Sequence, residues 1–332
     1  MVKKRYYAVM TGTIIVLVIF ALYALCKGQY MISFEELVRA FTGKQVQANV
    51  ITVLFRIRLP RIIMAAAAGA GLSAAGAAFQ SMFANPLATP DTLGTSNGAS
   101  FGAALAILLG AGTAGIQVSA LFSGLLAIAL VFLVSGASRR NVSILTVVLY
   151  GMVISSLFSA LVSFVKFVAD PNDVLPVITY WLMGSLSSIN LKSLYTGLPL
   201  IAIGTFILYL IRYRMNVISL SKEEAVSLGV NLPVVRTVVI VSAALITASV
   251  TAMCGVISWI GLLIPHISRM LVGNDNSRVI PCSIVCGGLF LVVIDTLART
   301  LTVSEIPVSI LTSIVGAPVF ILLLKKTGGV LK

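Results

Sequence analysis

Long apolar runs separated by short polar segments constrain this chain more than any other feature. Ten runs are long enough to cross about 30 Å of hydrocarbon, and they begin near Ala8, Pro60, Leu93, Gln117, Ser143, Leu194, Arg236, Val256, Ile280 and Pro307. Backbone polar groups in a bilayer must be bonded within the protein, and the runs lack the alternation of strands. We predict an all-α polytopic membrane protein, a single domain over residues 1–332 with about ten transmembrane helices in a compact bundle.

The eighth run, residues 256–272, is short and contains Pro265. A proline inside a helix removes a backbone hydrogen bond and disturbs the preceding turn. The alternative to ten spans is therefore nine spans, or a re-entrant segment at this position.

Composition and charge exclude several classes of protein. Hydrophobic residues make up 59% of the 332 and charged residues 10%, unlike a water-soluble domain. The net charge is +13, but the 23 lysines and arginines lie between apolar runs, so nucleic acid is not a predicted partner. If the basic residues 3–5 lie inside, ten spans return Lys325 and Lys332 to the same side. We predict an inner-membrane protein with both termini in the cytoplasm.

Two spans are rich in small residues at helical spacing. The second contains Ala66, Ala70, Ala74 and Ala78, and the third contains Gly94, Gly98 and Gly102. Small side chains let membrane helices approach closely. The pattern predicts a densely packed bundle.

The sequence lacks the motifs of an enzyme or of an ATP-binding loop. There is no GxxxxGK[ST] pattern, and the four cysteines form no CxxC pair, so we predict no cofactor and no metal site. Asp295 lies near a span end, four residues from Arg299, and an ion pair at helical spacing is the simplest interpretation. A proton-linked pair of Asp295 with the single histidine, His266, is the alternative and would indicate an ion-coupled transporter. Otherwise the energy for any transport must come from a partner.

Two polar segments suggest contacts with partners. Arg56, Arg58 and Arg61 are concentrated at the mouth of the second span, on the predicted outer side, where positive charge opposes the insertion bias. This favours an acidic partner outside, and interfacial snorkelling of the side chains is the alternative. On the predicted inner side, Ser221 and Glu224 have capping-box spacing and Gly229 suits a C-cap. They predict a short cytoplasmic helix over residues 221–230 that docks on a soluble protein.

Several motifs, in order along the chain, carry a resemblance to a known family. They are Arg58-Leu59-Pro60-Arg61, Asn85-Pro86-Leu87-Ala88-Thr89-Pro90, Trp181-Leu182-Met183-Gly184-Ser185, Gly261 to Arg269, Asp295 to Arg299, and Glu305-Ile306-Pro307 to Phe320. From about Arg58 to Phe320 the chain resembles the iron-siderophore, haem and cobalamin permease family of ABC importers.

The resemblance implies a set of partners. Cytoplasmic ABC ATPase subunits, an extracytoplasmic substrate-binding protein and a second permease subunit, either identical or a paralogue, are expected. It assigns Arg58, Arg61 and Arg299 to docking of the binding protein's acidic residues. It also makes the helix at 221–230 the coupling helix that sits on the ATPase, with the residues Ser221, Glu223, Glu224, Ala225, Leu228 and Gly229.

The resemblance further implies two cytoplasmic gates. One is the loop Asn85-Pro86-Leu87, which Pro86 and Pro90 hold non-helical; the other lies around Ser143. The expected function is translocation of an iron(III)-siderophore complex by alternating access, with ATP hydrolysed by the partner and no catalysis in this chain. Haem or cobalamin import by the same family is the alternative cargo.

Overall fold

The computed structural model describes residues 2–135, 144–218 and 222–327, and helices are the only regular secondary structure in these ranges. The α-helices are α1 (Val2–Cys26), α2 (Phe34–Phe41), α3 (Ala48–Ile51), α4 (Leu59–Met82), α5 (Thr95–Leu108), α6 (Thr113–Ser135), α7 (Ile144–Val168), α8 (Val174–Leu182), α9 (Leu191–Leu210), α10 (Lys222–Ser227), α11 (Leu232–Cys254), α12 (Ile260–Val272), α13 (Asn276–Ala298) and α14 (Val308–Thr327). A π-helical segment, Thr52–Arg58, joins α3 to α4. The all-α prediction is confirmed.

Each apolar run of the sequence forms a helix. The ten runs correspond, in order, to α1, α4, α5, α6, α7, α9, α11, α12, α13 and α14. Within the described residues, seven helical stretches are long and apolar enough to cross a membrane, and α12 and the segment Val308–Leu323 are shorter apolar helices. The polytopic membrane fold is thus confirmed, and ten is an approximate count of its spans.

One end of the bundle gathers the last turn of α1, the first turn of α4 and the last turn of α13. Arg299, the C-cap of α13, donates to the Lys27 carbonyl just after α1, at 2.8 Å. The loop after α8 joins this end, because the Gly184 carbonyl accepts from the Val308 amide, and the nearby Ile306 amide donates to the Ala298 carbonyl at the end of α13. We name it the arginine end, for Arg58, Arg61 and Arg299.

The opposite end gathers the last turn of α4, the first turn of α13 and the segment after α9. Ser81 Oγ donates to Asn276 Oδ1 at 2.6 Å, and the Asn276 amide donates to Asn216 Oδ1 at 2.8 Å. Helix α10 lies between that segment and α11 along the chain, so we name this the α10 end. The chain therefore presents different loops at the two ends of one bundle.

Small residues allow the close helix packing that the sequence predicts. A Cβ added to Gly69 of α4 would collide with the backbone of Gly287 in α13, and one added to Gly76 would collide with Gly261 in α12. Gly102 of α5 meets the Ser119 carbonyl of α6 in the same way. The dense bundle is confirmed.

The eighth run forms a short helix that follows a non-helical break. Helix α11 ends at Cys254, residues 255–259 are non-helical, and α12 begins only at Ile260. Trp259 adopts a φ of 71°, which is strained for a bulky residue. Pro265 lies inside α12 without ending it, so the proline is not the cause of the break.

Candidate docking and coupling sites

The three arginines assigned to docking lie together at the arginine end, and all three are buried. Arg58, Arg61 and Arg299 have relative exposures of 4, 5 and 5%. Arg58 ends the π-helical segment, Arg61 lies in the first turn of α4, and Arg299 caps α13. Since side chains that snorkel reach water, interfacial snorkelling does not describe Arg58 and Arg61, whereas Arg56 is exposed.

Arg61 is the centre of an ion-pair network. Its Nε lies 2.8 Å from Asp295 Oδ1, and its Nη1 lies 2.8 Å from Glu305 Oε1 and 2.9 Å from Oε2. Asp295 also pairs with Arg299, at 3.9 Å, so the ion pair expected from helical spacing exists but is the longer one. The Asp295 side chain is 1% exposed and that of Glu305 is 27% exposed. Glu305, which the sequence analysis quoted within a motif but gave no role, is the part of this network that solvent reaches.

Arg58 and Arg299 bind the carboxyl-terminal end of α1. Arg58 Nη1 donates to the carbonyls of Leu25, at 2.6 Å, and Cys26, at 3.1 Å, and Arg299 Nη2 donates to the Ala24 carbonyl. The last carbonyls of a helix lack partners within it and carry partial negative charge. The two guanidinium groups therefore cap α1 and join it to α4 and α13.

A π-helical segment places Arg58 at this position. The Leu59 amide bonds the Leu54 carbonyl, five residues back, which is the wide spacing of a π-helix. Pro60 follows directly, and in a regular α-helix its ring would meet the carbonyl of the residue four positions earlier. The wider turn before Pro60 accommodates this proline, so the Arg-Leu-Pro-Arg motif also determines the local backbone.

Asp295 and His266 do not pair with each other in the described part of the chain, so the proton-linked pair is not formed. Asp295 pairs with Arg61 and Arg299 at the arginine end, whereas the His266 ring packs edge-on against Phe320, with centroids 6.2 Å apart. Asp295 is thus compensated by cations, as expected for a buried carboxylate in a membrane protein.

The helix predicted over residues 221–230 forms in part. Helix α10 spans Lys222–Ser227, within the predicted 221–230. Gly229 has a φ of +71°, and the Val230 amide bonds the Ala225 carbonyl at 3.0 Å, which is a Schellman C-cap at the predicted glycine. Ala225 is fully buried and Leu228 is 60% exposed. Ser221 and the side chain of Glu223 lie outside the described residues, so the capping box remains a prediction.

The first predicted gate is a loop at the α10 end. Residues 83–89 are non-helical, and the exposed residues Asn85, Pro86 and Leu87 form a turn in which Asn85 Oδ1 accepts from the Leu87 amide at 2.9 Å. Pro90 begins a short 3-10 helix, Pro90–Leu93, and is not itself part of the irregular loop. Ser143, the second gate position, lies outside the described residues.

An electrostatic cap joins the α10 end to α13. Asp275 is the N-cap of α13 and accepts from the Ser277 amide, at 2.9 Å, and from Asn216 Nδ2, at 2.8 Å. Burial alone would raise the pKa of this carboxyl, but the hydrogen bonds from Ser277 and Asn216, with the nearby charge of Arg278, lower it below its usual range. The ionised form of Asp275 thus stabilises the contact between α13 and the segment after α9.

The fold and the two ends define a class of protein. Within its described residues, the chain is a polytopic helical bundle that brings no group of three metal-ligating side chains together, and its distinctive polar clusters lie at the two ends. These features define a polytopic helical membrane protein with a polar cluster at each end of its bundle.

Comparison with known proteins gives the family. The chain belongs to the FecCD transport family, whose model matches residues 15–326. It is 38% identical over 331 residues, 98% of both chains, to the molybdate import system permease protein of Haemophilus influenzae. It is 34% identical to the iron(3+)-hydroxamate import system permease protein of Bacillus subtilis, over 96% of both chains. A solved structure described as an inward-facing conformation of a metal-chelate type ABC transporter superposes with a TM-score of 0.87 at 38% identity, covering 96% of this chain and 99% of the other. The chain is the permease of an ABC importer. Permeases of this family work with ATPase and binding-protein partners.

Proposed function

We propose that this chain forms the membrane pathway for an iron(III)-siderophore complex, which crosses the cytoplasmic membrane by alternating access. The observation that carries the proposal is the separation of the arginine cluster and α10 to opposite ends of one bundle. The binding protein docks at the arginine end, which faces outward, and the ATPase subunits dock at the α10 end. Both termini then lie in the cytoplasm, in the inner membrane of the cell.

The docking proposal rests on the charge balance of the arginine end. Three arginines face only two carboxylates, Asp295 and Glu305, and Arg58 has carbonyl partners alone. An acidic residue of the binding protein would neutralise the excess charge by displacing the partly exposed Glu305 from Arg61. Charge-assisted, bidentate bonds between a guanidinium and a carboxylate favour such an exchange.

Removing the internal competitor tests this docking step. The variant Glu305→Gln should bind the binding protein severalfold more tightly, because Arg61 Nη1 no longer has a carboxylate partner. The matched control is Glu35→Gln, since Glu35 pairs on the surface with Arg39 at the same end of the bundle. Unchanged or weaker binding of Glu305→Gln relative to this control would contradict docking at Arg61.

The coupling proposal rests on the surface of α10. Ala225 anchors the helix in the protein, while Glu224, Leu228 and Gly229 lie on its exposed side and at its end. An ATPase groove that receives this segment, together with Ser221 and Glu223, would move α11 through the short turn after α10. The loop of Asn85, Pro86 and Leu87, at the same end, acts as one gate, and Ser143 belongs to the second.

A polar stripe on α7 supports a second permease subunit. Ser156, Ser159 and Ser163 are exposed and recur at spacings of three and four residues, which places them on one face of the helix. Ser163 Oγ donates to the Ser159 carbonyl, at 3.0 Å, within α7 itself. Hydroxyl groups on a membrane helix commonly face other helices or a water-filled pathway. We assign this face to the pathway between two permease subunits.

A second cargo has specific support. The Haemophilus influenzae relative is described as a molybdate permease and matches 98% of this chain, whereas the structural neighbour is of metal-chelate type. Proteoliposomes with the ATPase, the cognate binding protein and this chain should accumulate a ferric siderophore in preference to molybdate, haem and cobalamin. Preferential uptake of molybdate would overturn the siderophore assignment and leave the importer assignment intact.

A further inference from the structure

An apolar groove runs along α9 where it meets α4 and α13. It is an open groove of about 610 Å³, and its lining includes Ala70 of α4, Ala202 and Phe206 of α9, and Ile284 of α13. Thr205 also lines the groove, and its hydroxyl donates to the Ile201 carbonyl within α9, at 2.7 Å. This hydroxyl is therefore already bonded. The lining of the groove is thus almost entirely apolar and suits a hydrocarbon chain.

The length of the groove matches one leaflet of a bilayer. Its lining on α9 extends from Ile201 to Tyr209, the latter near the α10 end. At a rise of about 1.5 Å per residue this distance is about 12 Å. Half of a hydrocarbon core of about 30 Å is about 15 Å, so the groove extends from the α10 end to near the middle of the membrane.

A positively charged side chain lies at the mouth of this groove. The Arg212 guanidinium carbon stands 3.9 Å from the centroid of the Tyr209 ring and 4.5 Å from that of Tyr213. Arg212 Nη1 donates to the Tyr209 carbonyl, at 2.7 Å, and its Nη2 lies 3.3 Å from the Tyr213 hydroxyl. Tyr209 also lines the groove, so the Tyr209 side chain lies between the groove and the Arg212 guanidinium.

The guanidinium of Arg212 is held in place but not neutralised. Stacking on two rings and two hydrogen bonds fix its plane. An arginine has five N–H donors, and none of the ion pairs formed among the described residues includes Arg212. The guanidinium is thus a fixed cation with unused donors beside the apolar groove. This arrangement complements a ligand with an anionic head and a hydrocarbon tail.

We propose that the groove and Arg212 bind one anionic phospholipid of the leaflet at the α10 end. Its phosphate accepts from the Arg212 guanidinium, and one acyl chain lies between α9, α4 and α13. Basic positions between membrane helices near the cytoplasmic surface suit such headgroups. The exposed serines of α7 lie on another helix, so the groove is separate from the face that we assign to the second subunit.

Native mass spectrometry of the detergent-purified chain, with phosphatidylglycerol or phosphatidylcholine added, tests the proposal. The wild type should retain phosphatidylglycerol about tenfold more tightly, because both lipids offer a phosphate to Arg212 but the choline cation of phosphatidylcholine is repelled by the guanidinium. The variant Arg212→Gln should lose this preference. The control Arg214→Gln removes the same charge from an exposed residue two positions away, without the ring platform, and should keep it.

A second pair of variants tests the groove itself. The variant Ala202→Trp fills the channel from its exposed side and should reduce retention of both lipids, whereas Phe122→Trp, on the exposed surface of α6, should not. Inorganic phosphate should not compete, since it has no acyl chain. The proposal is overturned if the wild type retains both lipids equally, if Arg212→Gln behaves as Arg214→Gln does, or if free phosphate displaces the lipid.

Discussion

The variant Asp295→Asn tests the buried network at the arginine end. Asp295 is 1% exposed and faces Arg61 at 2.8 Å and Arg299 at 3.9 Å. The substitution keeps the shape of the side chain but leaves three arginines with one carboxylate, Glu305. Removing one partner of a buried ion pair costs about 3–5 kcal/mol. Because Glu305 still pairs with Arg61, we expect the lower value, about 3 kcal/mol, or roughly a hundredfold in the unfolding equilibrium.

Two related variants give the scale for this measurement. The variant Glu305→Gln removes a partly exposed partner and should cost about 1–2 kcal/mol. The variant Glu35→Gln removes a surface pair with Arg39, whose side chains are 74 and 52% exposed, and should cost less than about 1 kcal/mol. Unfolding in mixed micelles with a rising fraction of a denaturing detergent, followed by circular dichroism, ranks the three variants.

A double variant separates lost charge pairing from lost packing. Apolar replacement of both members of a buried pair is often neutral, whereas loss of one member leaves an uncompensated charge. Arg61→Met combined with Asp295→Leu should therefore be more stable than Asp295→Leu alone. A cost for Asp295→Asn no larger than that for Glu35→Gln, or strict additivity in the double variant, would refute the reasoning.

Three further predictions concern other parts of the molecule. Ser159→Cys on α7 should form an intermolecular disulfide in membranes, and Phe122→Cys on α6 should not; equal cross-linking would contradict the assigned dimer face. Leu228→Asp should abolish ATPase binding in a pull-down while leaving stability unchanged, because Leu228 is 60% exposed, and Leu109→Asp, at the other end, should bind normally. Asp275→Ala should reduce the free energy of unfolding by about 1 kcal/mol at neutral pH, through loss of the N-cap. Since the folded-state pKa of Asp275 is lowered, this loss should shrink as the pH falls below about 4. A loss that does not depend on pH would contradict the ionised cap.

The sequence predicts those features that depend on local spacing. The apolar runs became helices, the glycines of α5 face α6, and Gly229 adopts the left-handed conformation of a C-cap. A Ser-x-x-Glu capping box forms at Ser33 and Glu36, at the start of α2, although the sequence prediction named this spacing only at Ser221 and Glu224, where the box stays a prediction. Helix termini of this kind can be read from four consecutive residues, because their hydrogen bonds are local.

Contacts between distant segments were not predictable in the same way. Helical spacing favoured Arg299 as the partner of Asp295, but the closer partner is Arg61, which is 234 residues away along the chain. Burial of the docking arginines on the carbonyls of α1 has no signal in the local pattern, because it depends on how three helices pack. The stacking of Arg212 has a local signal, since Tyr209 lies three residues before it, at helical spacing, and Tyr213 directly follows it.

The most direct test of the account is uptake by proteoliposomes that contain this chain, its ATPase subunits and a cargo-loaded binding protein. We predict accumulation of cargo only when ATP is present on the ATPase side and both partners are included, with a proton gradient neither required nor sufficient. Accumulation driven by the gradient in vesicles that hold this chain alone would contradict the account.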